Sequence, residues 1–320
     1  WLLGSFEAAA QKHLIQFENL TIDDGLAQST ITGIQQDKQG FMWFATAEGL
    51  HRYDGYQFKI FKNEKNNSAS LPENYISAFA IDDKDRIWTG TNSGKLAYLS
   101  KTTNTFVNIV LKGKSGLNTY PVSAIYCYKK ERVWVGLEGG GMMIIDAPGK
   151  NSNNTALLEG YHINRITHNR TGTWICTDKG MFEIDEISLT MVPHPDLTEL
   201  ESIAVSDIFP DGNNRFYIST LGEGLFQWKQ GNSLEKIQIP KMRGSRHLQF
   251  ILKDRKGVYW LGTMGGGLIR WENESFHTYQ NNPLVGESII GDDVRTGFMD
   301  DQGNLWFGTI SGISKFDRNI

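Results

Sequence analysis

Short apolar runs recur along the whole chain, separated by polar turns, and within each run apolar and polar residues tend to alternate. Alternation at a period of two is the mark of half-buried strands. No stretch competes with it at the 3.6-residue spacing of a helix. The strongest runs centre on an aromatic residue: GFMWFATAEGL, DRIWTGTNSGK, ERVWVGLEGGGM, GTWICTDKGM, RFYISTLGEGL, VYWLGTMGGGL and NLWFGTISGI. Their anchors are Trp43, Trp88, Trp134, Trp174, Tyr217, Trp260 and Trp306, spaced by 45, 46, 40, 43, 43 and 46 residues. Seven copies at so steady a period make this a repeat protein.

The flanks repeat as well. An Asp stands six residues before most anchors (Asp37, Asp82, Asp211, Asp254, Asp300), often with a Gly three residues later, as at Gly40, Gly257 and Gly303. Asp can accept from the backbone two residues on, and Gly supplies positive φ, so Asp-x-x-Gly predicts a turn between two strands. A short apolar segment lies upstream in every copy, from Ile31/Ile34 to Val294/Phe298. Downstream a turn Gly is followed four residues on by a large apolar residue: Tyr53, Tyr98, Ile145, Ile184, Trp228, Trp271 and Phe316. A fourth run follows, such as QFKIF at 57–61.

Each unit is thus a four-stranded meander, and seven of them predict an all-β, seven-bladed β-propeller with four antiparallel strands per blade. One blade cannot bury both its faces, but a blade between two others can. The Trp and the large residue after the turn Gly are expected to fill the spaces between blades. The last copy supplies only three strands, so HLIQFENL at 13–20 is expected to complete it, with its outer strand near Leu14–Phe17. The domain reading is a tail over 1–12 and one propeller over 13–320. The tail, with its apolar start and Ala8-Ala9-Ala10, reads as a signal-peptide remnant or a tag.

Composition agrees and narrows the options. Glycine is abundant at 34, proline scarce at 8, and aromatics make up 12% of 320 residues. A net charge of −4 with no long basic run argues against nucleic acid as partner. No apolar stretch is long enough for a membrane helix, so no membrane contact is expected of this segment. Two cysteines, Cys127 and Cys176, give no zinc pattern and no disulfide framework. They read as two buried thiols, or as one disulfide in an oxidising compartment.

The repeated unit resembles the two-component regulator propeller repeat, and FENLTIDDGLAQSTITGIQQDKQGFMWFATAEGLHRYDG (17–55) is especially close to the way such sensors begin. Tyr217 for Trp in the fifth copy and Cys176 for Gly in the fourth depart from the pattern. The resemblance implies the extracytoplasmic, periplasmic input region, or a fragment of it, of a bacterial transmembrane receptor. Its output would be a histidine kinase or a diguanylate cyclase, and the full receptor a homodimer. The expected partner is a small ligand, carbohydrate among the classes considered, with no cofactor.

Direct signs of chemistry are few. Gly139-Gly140-Gly141 and Gly265-Gly266-Gly267 sit between strands with no following helix or Lys-Ser/Thr, so they read as turns rather than phosphate cradles. The seven His show no metal spacing, and Glu48, Glu138, Asp178 and Glu223 fall in solvated turns. No nucleophile elbow is present. The copies disagree most just before the repeated apolar position, which reads Thr30, Tyr75, Pro121, His162, Ala204, His247 and Asp293. Tyr120, Arg246, Asp292 and Arg295 lie close by. In a propeller this position opens onto the channel. Unlike groups converging on a concavity are what ligand sites use. The candidate ligand residues are therefore Tyr75, Tyr120, His162, Arg246, His247, Asp293 and Arg295. A solvated mouth without a ligand is the plain alternative. Two other functions remain open: a glycan lyase or hydrolase using Arg295, His247 and Asp293, or a protein-interaction platform.

Overall fold

The computed structural model describes residues 15–317 apart from 114–115, 129–131, 147–153, 170–171 and 187. The expectation for the tail at 1–12 therefore lies outside the described residues. Seven four-stranded antiparallel sheets form the seven blades of a propeller. The inner strands are Ile31–Gln36, Ile76–Ile81, Val122–Tyr128, Ile163–Asn169, Val205–Pro210, Leu248–Lys253 and Val294–Met299. Each inner strand touches those of the blades before and after it, and the seventh touches the first, so the ring is closed. Among the described residues, no helix is long and apolar enough to cross a membrane.

The ring is held by seven hydrophobic clusters among the described residues, one in each gap between blades. Every gap has the same two contributors. The anchor aromatic of one blade enters from one side, and a third-strand residue of the next blade enters from the other. The pairs are Trp43 with Leu99, Trp88 with Ile145, Trp134 with Ile184, Trp174 with Trp228, Tyr217 with Trp271, Trp260 with Phe316 and Trp306 with Tyr53. Blade two meets the expectation for Tyr98 in the other of its two gaps. Its turn carries the Gly one residue earlier than in blades three, five and six, with Gly94 followed by Lys95 before the strand Leu96–Ser100. That offset puts Tyr98 on the face of Trp88, in the gap toward blade three, and Leu99 takes the gap toward blade one. A one-residue shift exchanges the faces of a strand.

The Gly two residues after the anchor has a packing reason. A Cβ on Gly90, Gly136 or Gly308 would sit 2.2–2.6 Å from Val122, Ile163 or Ile31, the first inner-strand residue of the next blade. The Asp six residues before the anchor does more than form a turn. Asp254 Oδ1 accepts from the N–H groups of Lys256 and Val258, and its Oδ2 accepts from the Trp260 indole at 2.8 Å. Asp37–Trp43, Asp82–Trp88 and Asp300–Trp306 do likewise at 2.7–2.9 Å. Blades three and four carry Tyr128 and His168 at that position, and among the described residues the fully buried Trp134 indole N–H has no partner.

The N-terminal segment completes blade seven, as expected, but further along than Leu14–Phe17. The outer strand is Glu18–Leu20, antiparallel to Ile313–Lys315. Phe17 instead sends its side chain into the gap between blades six and seven, 6.1–6.3 Å from the rings of Tyr279, Phe307 and Phe316. Its N–H donates to Glu287 O at 2.9 Å rather than to the sheet. The connection into blade one is tied down by His51, a buried ring whose Nε2 accepts from the Ala27 N–H at 3.0 Å.

Candidate functional site: the channel mouth

All seven inner strands begin at one face of the ring, where the loops entering each blade meet the turns between second and third strands. The backbone fixes this rim. The carbonyls of Tyr75, Pro121, His162, Ala204 and His247 accept from the N–H groups of Asn92, Glu138, Asp178, Leu221 and Met264 at 2.8–3.1 Å. Because main chain makes the joint, the side chain at the position before the inner strand is free to differ. That is why this position does not repeat while its neighbours do.

The predicted residues lie around this rim, but few of them meet. Asp293 and Arg295 do: an Arg295 Nη2 lies 3.4 Å from Asp293 Oδ2, and the other Asp293 oxygen is buried without a partner. Arg246 turns outward, donating from Nε to Gly222 O at 2.7 Å and from Nη2 to Glu223 Oε1 at 2.6 Å. Lys236 holds the same Glu223 at 2.7 Å. Tyr120 is half-exposed and lies over the turn of blade three, so close that a Cβ at Gly140 would sit 2.7 Å from its ring. The His162 N–H donates to Asp178 Oδ1 at 2.9 Å. Tyr75 is half-buried and His247 exposed. Among the described residues no hydrogen bond or ion pair joins the His247 side chain to Asp293 or Arg295.

Just below the rim every inner strand carries a bulge after its first residue. A bulge re-aims the extra side chain. At four blades that side chain stitches the ring: Thr32, Ser77, Asn164 and Ser206 donate to the carbonyls of Ile76, Val122, Val205 and Leu248 at 2.6–2.8 Å. Arg295 occupies the same position in blade seven but extends into the channel, 38% exposed.

One residue deeper lies a pair that the rim position did not reveal. Arg165 Nε, from blade four, lies 3.3 Å from Asp207 Oδ1 of blade five. Asp207 is buried and also accepts from the Ile208 and Ile251 N–H groups. Burial raises its pKa above the usual carboxylate value, with Arg165 and the two backbone donors opposing. The other blades carry Gly33, Ala78, Ala124, Phe250 and Thr296 here, so the signal was present in the repeat, three residues past the rim position.

The described residues show two roomy clefts away from the channel. One of about 800 Å³ lies beside the 62–72 loop and is walled by Asn63, Asn67, Asn108 and Asn118. One of about 880 Å³ lies beside Phe17 and is walled by Arg270, Glu272, His277 and Tyr279. Both cysteines are free, and burial raises both thiols.

Residues 25–48 and 70–93 match the family model described as two component regulator propeller. These two stretches are two-component regulator propeller repeats, one in blade one and one in blade two. A stretch of 62 residues, 19% of the propeller, is 42% identical to histidine kinase P4 of Formosa agariphila and spans 4% of that protein. Among solved structures, the propeller is similar to the extracellular domain of a hybrid two-component system from B. thetaiotaomicron. The TM-score is 0.76 at 18% identity, over 94% of this chain and 40% of that one. It is also similar to streptogramin B lyase, with a TM-score of 0.71 at 15% identity over 95% and 97% of the two chains. At such identities the likeness is one of fold, shared by the extracellular domain of a two-component system and a lyase.

Proposed function

We propose that this chain is the ligand-sensing, extracytoplasmic part of a bacterial transmembrane receptor, of the two-component or diguanylate-cyclase type, acting from the periplasm. The match of its repeats to two-component regulator propellers carries this reading. The rim supports it: a backbone-pinned ring displays unlike side chains around an open mouth. A small ligand bound there would shift a receptor equilibrium by its differential affinity for the two states. In the full receptor the propeller would act within a homodimer.

The reading is tested by a thermal-shift screen of glycans and metabolites on the purified chain. At least one compound should stabilise it, and His247→Ala should abolish that shift while leaving the unliganded melt unchanged. Full stabilisation of the His247→Ala protein, and of a Tyr75→Ala protein, by the same compound would remove the rim as the site. A hydrolase or lyase would need acid, base and charge stabiliser within reach of one ligand. Only Asp293 and Arg295 of the three candidates are joined.

A further inference from the structure

Inner strands line the channel, and an exposed side chain on one of them has the channel as its solvent. Across all seven inner strands, three residues are exposed. Pro210 ends its strand at the far side. The other two are Arg165, third in its strand, and Arg295, second in its strand. Both therefore sit at nearly the same depth below the rim. They stand on blades four and seven, three steps apart around a ring of seven, and so face each other across the channel.

Each guanidinium is held from behind. Asp207 and Asp293 are 5% and 17% exposed, against 55% and 38% for their arginines. In each pair the carboxylate lies in the wall and the guanidinium leans into water. Arg165 meets its carboxylate through Nε at 3.3 Å, and among the described residues no hydrogen bond engages its Nη groups. An arginine presenting a free edge is matched to carboxylate or phosphate oxygens. Low-dielectric walls around a channel concentrate its field. At the second position the other six inner strands are uncharged, with Thr32, Ser77, Ser123, Asn164, Ser206 and Gln249, and at the third the one other charge is Asp207, the partner of Arg165.

We propose that the channel holds an anion-binding site between Arg165 and Arg295, suited to a small ligand with two separated acidic groups, such as a dicarboxylate. This rests on the sensor reading and names its ligand class. Arg165 and Arg295 each take one end. Asp207 and Asp293 act as positioning residues that aim the guanidinium groups.

The test is isothermal titration of the purified chain with dicarboxylates from malonate to adipate, with succinamide as the uncharged control. At low salt at least one dicarboxylate should bind, with affinity falling as salt rises. Arg165→Gln and Arg295→Gln should each weaken it about tenfold or more, the loss expected for a charge-assisted contact, and succinamide should not bind. Arg165→Gln leaves Asp207 buried and unpaired, so the Arg165→Gln/Asp207→Asn double variant guards against a folding defect. Arg295→Gln leaves the ring's stitching bonds intact. If no dicarboxylate binds, or if binding survives in both variants, the anion site is wrong. A screening compound whose stabilisation depends on His247 would in that case still uphold the sensor reading. Conversely, dicarboxylate binding lost on Arg295→Gln with no His247-dependent compound would uphold the channel site and remove the rim.

Discussion

His51 makes the fold measurably sensitive to acid. The ring is fully buried on the third strand of blade one. Its Nε2 accepts from Ala27, so the proton of the neutral ring is on Nδ1. Burial lowers its pKa to about 4, with the Gly49 backbone opposing and Lys62 adding to the shift. In the unfolded chain the ring has the ordinary histidine value of about 6.5. As pH falls between these values the unfolded state takes up a proton that the folded state refuses, so stability falls with it. Above about pH 6.5 the full stability is present, and below about pH 4 the loss is complete. At about 1.36 kcal/mol per pKa unit the total is about 3 kcal/mol, of which about 2.5 kcal/mol is lost by pH 4.5.

The assay is urea unfolding of wild type and His51→Gln at pH 7.5 and 4.5. Glutamine keeps an acceptor for Ala27 but has no proton to gain. Carboxylates held below their usual range also weaken the fold in acid. Asp37 is one, where Lys101 and Trp43 outweigh burial; Asp211 is another, where Lys253, Tyr259 and Arg215 do so. These contributions are common to both proteins and cancel in the difference. Wild type should therefore lose about 2.5 kcal/mol more than the variant on acidification. Equal losses in the two proteins would show that His51 is either accessible to protons when folded or already protonated there, and would refute the reasoning.

Two further outcomes follow from the ring's joints. Asp254→Ala should cost about 2–4 kcal/mol, because it strips the Trp260 indole and two turn N–H groups of their acceptor in a buried place. Chemical denaturation measures this, and a change below about 0.5 kcal/mol would make the Asp a mere surface turn residue. Deleting residues 1–20 removes the closing strand together with the buried Phe17 and Leu20. Each of those side chains contributes about 1.5–3 kcal/mol by burial alone, so the melting temperature should drop by several degrees or more. An unchanged melt would mean that the ring does not depend on its clasp.

How much of this was legible in the sequence can be argued residue by residue. The Trp period gave the blade count, because a residue needed once per gap must recur once per blade. The six-residue interval from Asp to Trp was equally visible. Its meaning was not, since the indole reaches back across a turn whose geometry exists only when folded. The closing strand was placed a few residues early because Phe17 looks like a strand residue, yet its side chain is drawn into the gap toward Tyr279 and Phe316. Which of its two gaps Tyr98 fills turns on a single residue, Lys95 after Gly94, which a count from the glycine cannot detect.

The channel posed a harder problem, and for a physical reason. Rim positions are joined by main chain, so their variety imposes no cost and by itself distinguishes no function. The wall below is different. Five blades build it with Gly33, Ala78, Ala124, Phe250 and Thr296, while Arg165 and Asp207 place a charged pair against it. Burying Asp207 carries a desolvation penalty that its ion pair offsets only in part, as its raised pKa indicates. The fold closes elsewhere without such a pair. A costly departure that packing does not require is therefore a stronger pointer to recognition than the freely varying rim, and it lies where Arg295 faces it across the channel.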